Sequence, residues 1–273
     1  MNSPKEVANN YVGIGRGKAQ LPISKMIVLG MLAGMFIALA AVGANTATCT
    51  IANASVGKLA SACVFPVGLI MVLVAGSELF TGNTLMIIPL MEKEISVGAM
   101  LKNWLFVYIG NLIGSLLIVA IACYGTQWNL FGGALAVTTM KIAATKVGYS
   151  FGAAVALGTG CNFLVCIAVW ISFAAKTVVG KVAGLYMPIM VFVLSGFEHS
   201  VANMYYVPAG VVAAGIEKYA ALAVEAGVNI DVLTWGNFFL HNLLPVTIGN
   251  IIGGSILVGL FYWFCYVKGN KAA

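Results

Sequence analysis

Glu198 and His199 stand side by side in the segment Gly196-Phe197-Glu198-His199-Ser200-Val201-Ala202-Asn203, inside a long apolar stretch. Histidine changes charge near physiological pH, and a neighbouring carboxylate is a natural partner for that change. A charged pair at membrane depth is costly and marks a pathway or a site. The same pattern, Gly-x-Glu-x-x-x-x-Asn, recurs at Gly76-Ser77-Glu78-Leu79-Phe80-Thr81-Gly82-Asn83, again within an apolar segment. Two matched polar interruptions suggest two matched broken helices around one site.

The chemistry open to these residues is the handling of protons and small ions. His199 either titrates or is a buried neutral ring held for packing, while His241, at the head of the last apolar run, belongs to the interface. Lys146 lies in the polar stretch 138–150, where a solvated loop lysine is the ordinary reading. Glu198 near the midplane nevertheless needs a cationic or amide partner, and Asn162 and Asn203 are further candidates. Glu78 could accept N–H bonds freed by its break, and Thr81 and Asn83 could do likewise or line a lumen. The sequence contains no HExxH, CxxC pair, Gly-rich phosphate loop or acidic metal cluster, so neither an enzyme nor a metal or other cofactor is expected.

The surrounding composition supplies the elements. Of 273 residues, 61% are hydrophobic and 8% charged, and the mean hydropathy is +1.01, which implies an all-α integral membrane protein. Six apolar runs, about 26–48, 62–90, 101–124, 151–174, 184–213 and 236–267, reach or exceed the roughly 20 residues a bilayer requires. The second and fifth carry the Gly-x-Glu interruptions. Segment 1–25 is expected as a cytoplasmic N-terminal segment, its run 5–14 a mobile lid or, preferably, an interfacial helix. Residues 26–267 are expected as a single six-helix transmembrane domain and 268–273 as a cytoplasmic C-terminal tail.

Of the fourteen basic residues, ten fall on one side of a six-span arrangement and four, Lys58, Lys141, Lys146 and Lys218, on the other. Basic residues accumulate in short cytoplasmic loops, so both termini are expected inside. The net charge of +6 follows from this topology, and no basic patch interleaved with aromatics points to nucleic acid. Six cysteines without CxxC spacing read as free structural thiols.

The third and sixth runs are internally similar: Asn103, Gly110, Asn111 and Gly114 align with Asn242, Gly249, Asn250 and Gly253. Three spans per half force the second copy to enter from the opposite side, an inverted repeat whose shared site lies near the midplane. Small residues four apart, Gly30/Gly34, Gly110/Gly114 and Gly249/Gly253, are read as close helix contacts.

Four segments, 76–83, 161–170, 195–204 and 245–250, together resemble the formate/nitrite transporter family across nearly the whole chain. The resemblance implies an aquaporin-like fold with broken second and fifth helices, in a homopentamer whose protomers each hold a pore, within the inner (plasma) membrane. It implies that His199 is the central pore histidine and Lys146 a buried lysine, with Glu198, Asn162 and Asn203 joining lysine to histidine. Thr81 and Asn250 match positions that hydrogen-bond near the histidine; Phe65, Leu69, Leu79 and Phe192 match apolar constrictions. The expected cargo is a small monovalent weak-acid anion with protons: formate first, nitrite or hydrosulfide as alternatives. A neutral-solute channel of the water or glycerol type is the alternative from another class, and Lys146 and His199 argue against it.

Overall fold

The computed structural model describes residues 1–269; the expected tail lies, beyond 269, outside the described residues. Among them the chain is helical, without strands. Helix α1 (Pro4–Ala19) is followed by α2 (Ile23–Thr48), α3 (Ala54–Gly76), α4 (Phe80–Met91) and α5 (Val97–Tyr124). Then come α6 (Ala134–Val147), α7 (Phe151–Ala174), α8 (Val178–Leu194), α9 (Ser200–Ala214), the short α10 (Glu217–Glu225) and α11 (Trp235–Tyr266).

Among the described residues, six helices are long and apolar enough to cross a membrane, and five of them fall on predicted runs. The predicted fifth run is realised as two shorter helices, α8 and α9, meeting at a break. The sixth long helix comes instead from Gln127–Val147, which comprises a 3-10 segment and α6. This corrects the reading of 138–150 as a polar loop: α6 is helical through Val147, and its threonines use their hydroxyls on the preceding turn, Thr139 to Leu135 O and Thr145 to Lys141 O. Hydropathy sees polar atoms that the helix itself satisfies.

Both breaks are built alike. Gly76 and Gly196 take positive φ (87° and 72°), which ends α3 and α8 with little strain because glycine lacks a Cβ. The next amide reaches back five residues in each: Ser77 N–H to Val72 O (3.0 Å) and Phe197 N–H to Phe192 O (3.2 Å). This is the left-handed glycine stop of many helices, here at membrane depth. The chain then runs extended through Leu79 and His199 before α4 and α9 begin.

The small residues predicted as contacts are contacts. α2 packs along α5 and α7 along α11. A side chain on Gly34 would strike Asn111, one on Gly114 would strike Met31, and one on Gly253 would strike Thr159, all at backbone atoms. That proximity lets asparagines of one helix reach carbonyls of the next.

α1 is an amphipathic helix packed onto the bundle. Ser3 caps it, accepting from Glu6 N–H while the Glu6 carboxylate accepts from Ser3 N–H, a capping box. Its apolar face, Val7, Ala8 and Tyr11, is buried beside Leu85, Ile88 and Val169, and the Tyr11 hydroxyl donates to Gly82 O (3.3 Å).

Candidate functional site

The site begins with the need to satisfy backbone where two helices stop inside the bundle. Asn250 of α11 does this at the second break: its Oδ1 accepts from Ser200 N–H (2.9 Å), while its Nδ2 donates to Gly158 O (2.8 Å) and Glu198 O (3.0 Å). Asn111 of α5 does the same at the first break: Oδ1 accepts from Phe80 N–H (3.0 Å), and Nδ2 donates to Gly30 O (2.8 Å) and Glu78 O (2.9 Å). The predicted inverted repeat is thus repeated bond for bond.

The charged groups obey the same symmetry. Lys146 Nζ donates to both oxygens of Glu198 (2.9 and 3.0 Å), Asn203 Nδ2 donates to Glu198 Oε2 (2.7 Å), and Asn242 Nδ2 donates to Lys146 O (2.8 Å). In the other half Lys18 Nζ donates to Glu78 Oε1 (2.6 Å), Asn83 Nδ2 donates to Glu78 Oε2 (2.7 Å), and Asn103 Nδ2 donates to Lys18 O (3.0 Å). The glutamate side chains are 3% and 9% exposed, and burial is tolerable because each carboxylate has both a cation and an amide. Lys146 also lies over the Tyr206 ring, 5.1 Å from its centroid.

Lys18 was not singled out from sequence as a site residue. A signal existed: Lys18 precedes Gly30 by the same twelve residues by which Lys146 precedes Gly158, and these glycines carry the carbonyls bound by Asn111 and Asn250. α6 therefore occupies in the second half the place that α1 holds in the first. The idea that Glu78 caps freed amides is not what the structure contains: its carboxylate serves Lys18 and Asn83, and Asn111 serves the amide.

The symmetry fails at the centre. Leu79 stands where His199 stands, and Thr81 where Val201 stands, so each half contributes one polar side chain. Thr81 Oγ1 and His199 Nε2 lie 2.8 Å apart, both buried. The Ala202 amide donates to His199 Nδ1 (3.1 Å), so the ring caps α9 and its proton resides on Nε2, where Thr81 accepts it. A second proton would have to occupy Nδ1, where the Ala202 amide already points.

Two cavities approach this pair. One, of about 280 Å³, is lined by Lys146, Glu198, His199, Phe65 and Phe192. The other, of about 30 Å³, is lined by Lys18, Leu69, Leu79, Asn83 and Tyr11. All four expected constriction residues, Phe65, Leu69, Leu79 and Phe192, are buried. Phe192 packs edge-on against Phe65 at 5.6 Å and lies 6.0 Å from the His199 ring.

One expected link differs. Asn162 does not join lysine to histidine: its Nδ2 donates to Thr81 O (3.2 Å), Thr84 Oγ1 (3.0 Å) and Asn250 O (2.7 Å). The cause is its place on α7, opposite Gly254, where a Cβ would collide with it; it fastens α4 to α11 behind the central pair. Lys146 and His199 are connected through the backbone adjacency of Glu198 and His199. Among the described residues no cluster of three metal-ligating side chains occurs, and all six cysteines are free.

The family model of the formate/nitrite transporters matches residues 5–264. A protein of Methanothermobacter thermautotrophicus described as a probable formate transporter is 38% identical over 97% of both chains. The formate channel FocA of Escherichia coli strain K12 is 40% identical over 90% of this chain and 88% of its own. Among solved structures, a pentameric formate channel with formate bound superposes with a TM-score of 0.80 at 37% identity, covering 90% of this chain and 98% of that one. An FNT family ion channel superposes at 0.79 with 27% identity over 96% and 98%.

Proposed function

Because the chain belongs to the formate/nitrite transporter family, whose members are channels and transporters rather than enzymes, we propose that it passes a small monovalent weak-acid anion, formate, with the help of a proton. It does so as a homopentamer in the inner membrane, both termini cytoplasmic, with the Lys18 face inside. The formate channels among its relatives and the pentameric neighbour support cargo and assembly, and the ten-to-four division of basic residues supports the orientation.

The observation that carries this reading is the Thr81–His199 hydrogen bond, flanked by apolar residues and by a lysine–glutamate pair on either side. Stripping water from a small anion between Phe65, Phe192, Leu69 and Leu79 costs many kcal/mol as a bare charge and far less as a neutral acid. Lys146 or Lys18 meets the anion at contact range beside the break. The central pair then hands over a proton: His199 takes one at Nδ1 as it gives up the Nε2 proton through the Thr81 hydroxyl, which requires the Ala202 amide to let go. The neutral acid crosses and loses its proton in the second cavity. A water or glycerol channel would need neither lysine.

Uptake into proteoliposomes, with formate, nitrite and hydrosulfide compared at two external pH values, tests this reading. Uptake led by formate and rising as pH falls is the expected outcome; equal, pH-independent rates for the three would overturn it. His199→Asn is the informative variant, because asparagine also caps helices well and keeps α9 in place. Its flux is expected to fall and its pH dependence to flatten; unchanged flux and pH dependence would remove His199 from the mechanism.

A further inference from the structure

Lys58, on the first turns of α3, lines the larger cavity together with Lys146, Glu198 and His199. The charges of Lys146 and Glu198 cancel in their bidentate pair, whereas the Lys58 ammonium has no hydrogen bond or ion pair among the described residues. Its Nζ lies 4.0 Å from where a side chain on Gly196 would begin, so the free cation overhangs the break that leads to Glu198 and His199. Among the described residues the other half has no equivalent: counting back twenty residues from Glu78 and from Glu198 reaches Lys58 and Val178, and Lys18 is the one described lysine or arginine lining the smaller cavity.

We infer that Lys58 is the anion-recruiting residue of the Lys146 face, and that it makes the channel bind small anions more tightly from that face than from the other. At a distance the Lys146–Glu198 pair offers an incoming anion little net field, because Glu198 repels what Lys146 attracts; Lys146 acts on the anion only at contact range. An unpaired cation within a walled cavity raises the local anion concentration. The inference rests on the anion-channel reading proposed above. It concerns affinity on one side, and it leaves the central pair and the crossing step as described.

The test compares half-saturation concentrations for radiolabelled formate in right-side-out and inverted membrane vesicles, for the wild type, Lys58→Gln and Lys58→Arg. Lys58→Gln is expected to raise half-saturation at the Lys146 face roughly three- to tenfold, the size of effect a single unpaired charge exerts in a cleft. The value at the Lys18 face should move less than about twofold, and Lys58→Arg should restore the wild-type ratio. In the wild type, raising salt from about 0.05 M to 0.5 M should weaken binding more at the Lys146 face, since screening shortens the reach of an accessible charge to a few Å. Equal changes at both faces, or no change in the ratio with either the variant or salt, would overturn the assignment. Absence of formate flux in the wild type would instead overturn the anion-channel reading itself. The salt comparison uses unaltered protein and so decides the matter even if Lys58→Gln assembles poorly.

Discussion

Lys146→Met is expected to lower unfolding stability by about 3–5 kcal/mol, the usual consequence of removing one partner from a buried ion pair. The change leaves Glu198, 3% exposed, with only the Asn203 amide, and leaves its charge without a cation. Formate flux should fall by on the order of tenfold or more, since about 1.4 kcal/mol of lost contact with the anion at the break already gives that factor. Stability and attraction are separated by the double variant Lys146→Met with Glu198→Gln. Glutamine keeps an amide acceptor for Asn203 and buries no charge, so most of the stability should return, while flux should stay low because the face has lost the lysine that meets the anion. A double variant with full flux would show that the pair is structural alone. Thermal unfolding in detergent and uptake in liposomes read the two quantities independently.

Asn250→Leu should be nearly as damaging, and for a different reason. The amide makes three hydrogen bonds that close the second break, to Ser200 N–H, Gly158 O and Glu198 O. Each is buried, and stranding a buried partner costs about 1–3 kcal/mol. Several kcal/mol of destabilisation are therefore expected, together with loss of flux, because the Ser200 amide fixes the start of the helix that His199 caps. Asn111→Leu should destabilise comparably through Phe80 N–H, Gly30 O and Glu78 O. Its effect on the His199-dependent pH profile should be smaller, since Leu79 occupies the corresponding place. Equal and full loss of pH dependence in both variants would contradict the division of roles between the two halves.

The apolar runs, the two Gly-x-Glu interruptions and the Asn103/Asn242 and Asn111/Asn250 alignment were legible in sequence because each has a strong local signature: hydropathy, a glycine beside a charge, a repeated string. The glycine contacts were legible for the same reason. Three features were not. α6 was hidden because its threonines and lysines lower the hydropathy of a window, although the helix satisfies them internally. Lys18 was hidden because a basic residue near the end of an amphipathic helix looks like a solvated charge; only folding α1 under the bundle brings it to Glu78, sixty residues away. The role of Asn162 in joining lysine to histidine is implied only by the family resemblance, whereas side-chain direction on α7 depends on rotation about the helix axis, and that is set by Gly254 and Asn250 across the interface. Local pattern identifies which residues are unusual in an apolar helix, and the partner of each is decided by packing.

Proton-assisted passage is tested most directly by following internal pH and membrane potential together while a formate gradient is imposed on proteoliposomes, with protein-free liposomes subtracted. The expected result is acidification of the lumen in step with formate entry, with little change in potential, and loss of most of that acidification in His199→Asn. An inward formate movement that generates a potential without acidification would mean that the anion crosses as a charge, and would leave the Thr81–His199 pair as a hydrogen-bonding support for the breaks.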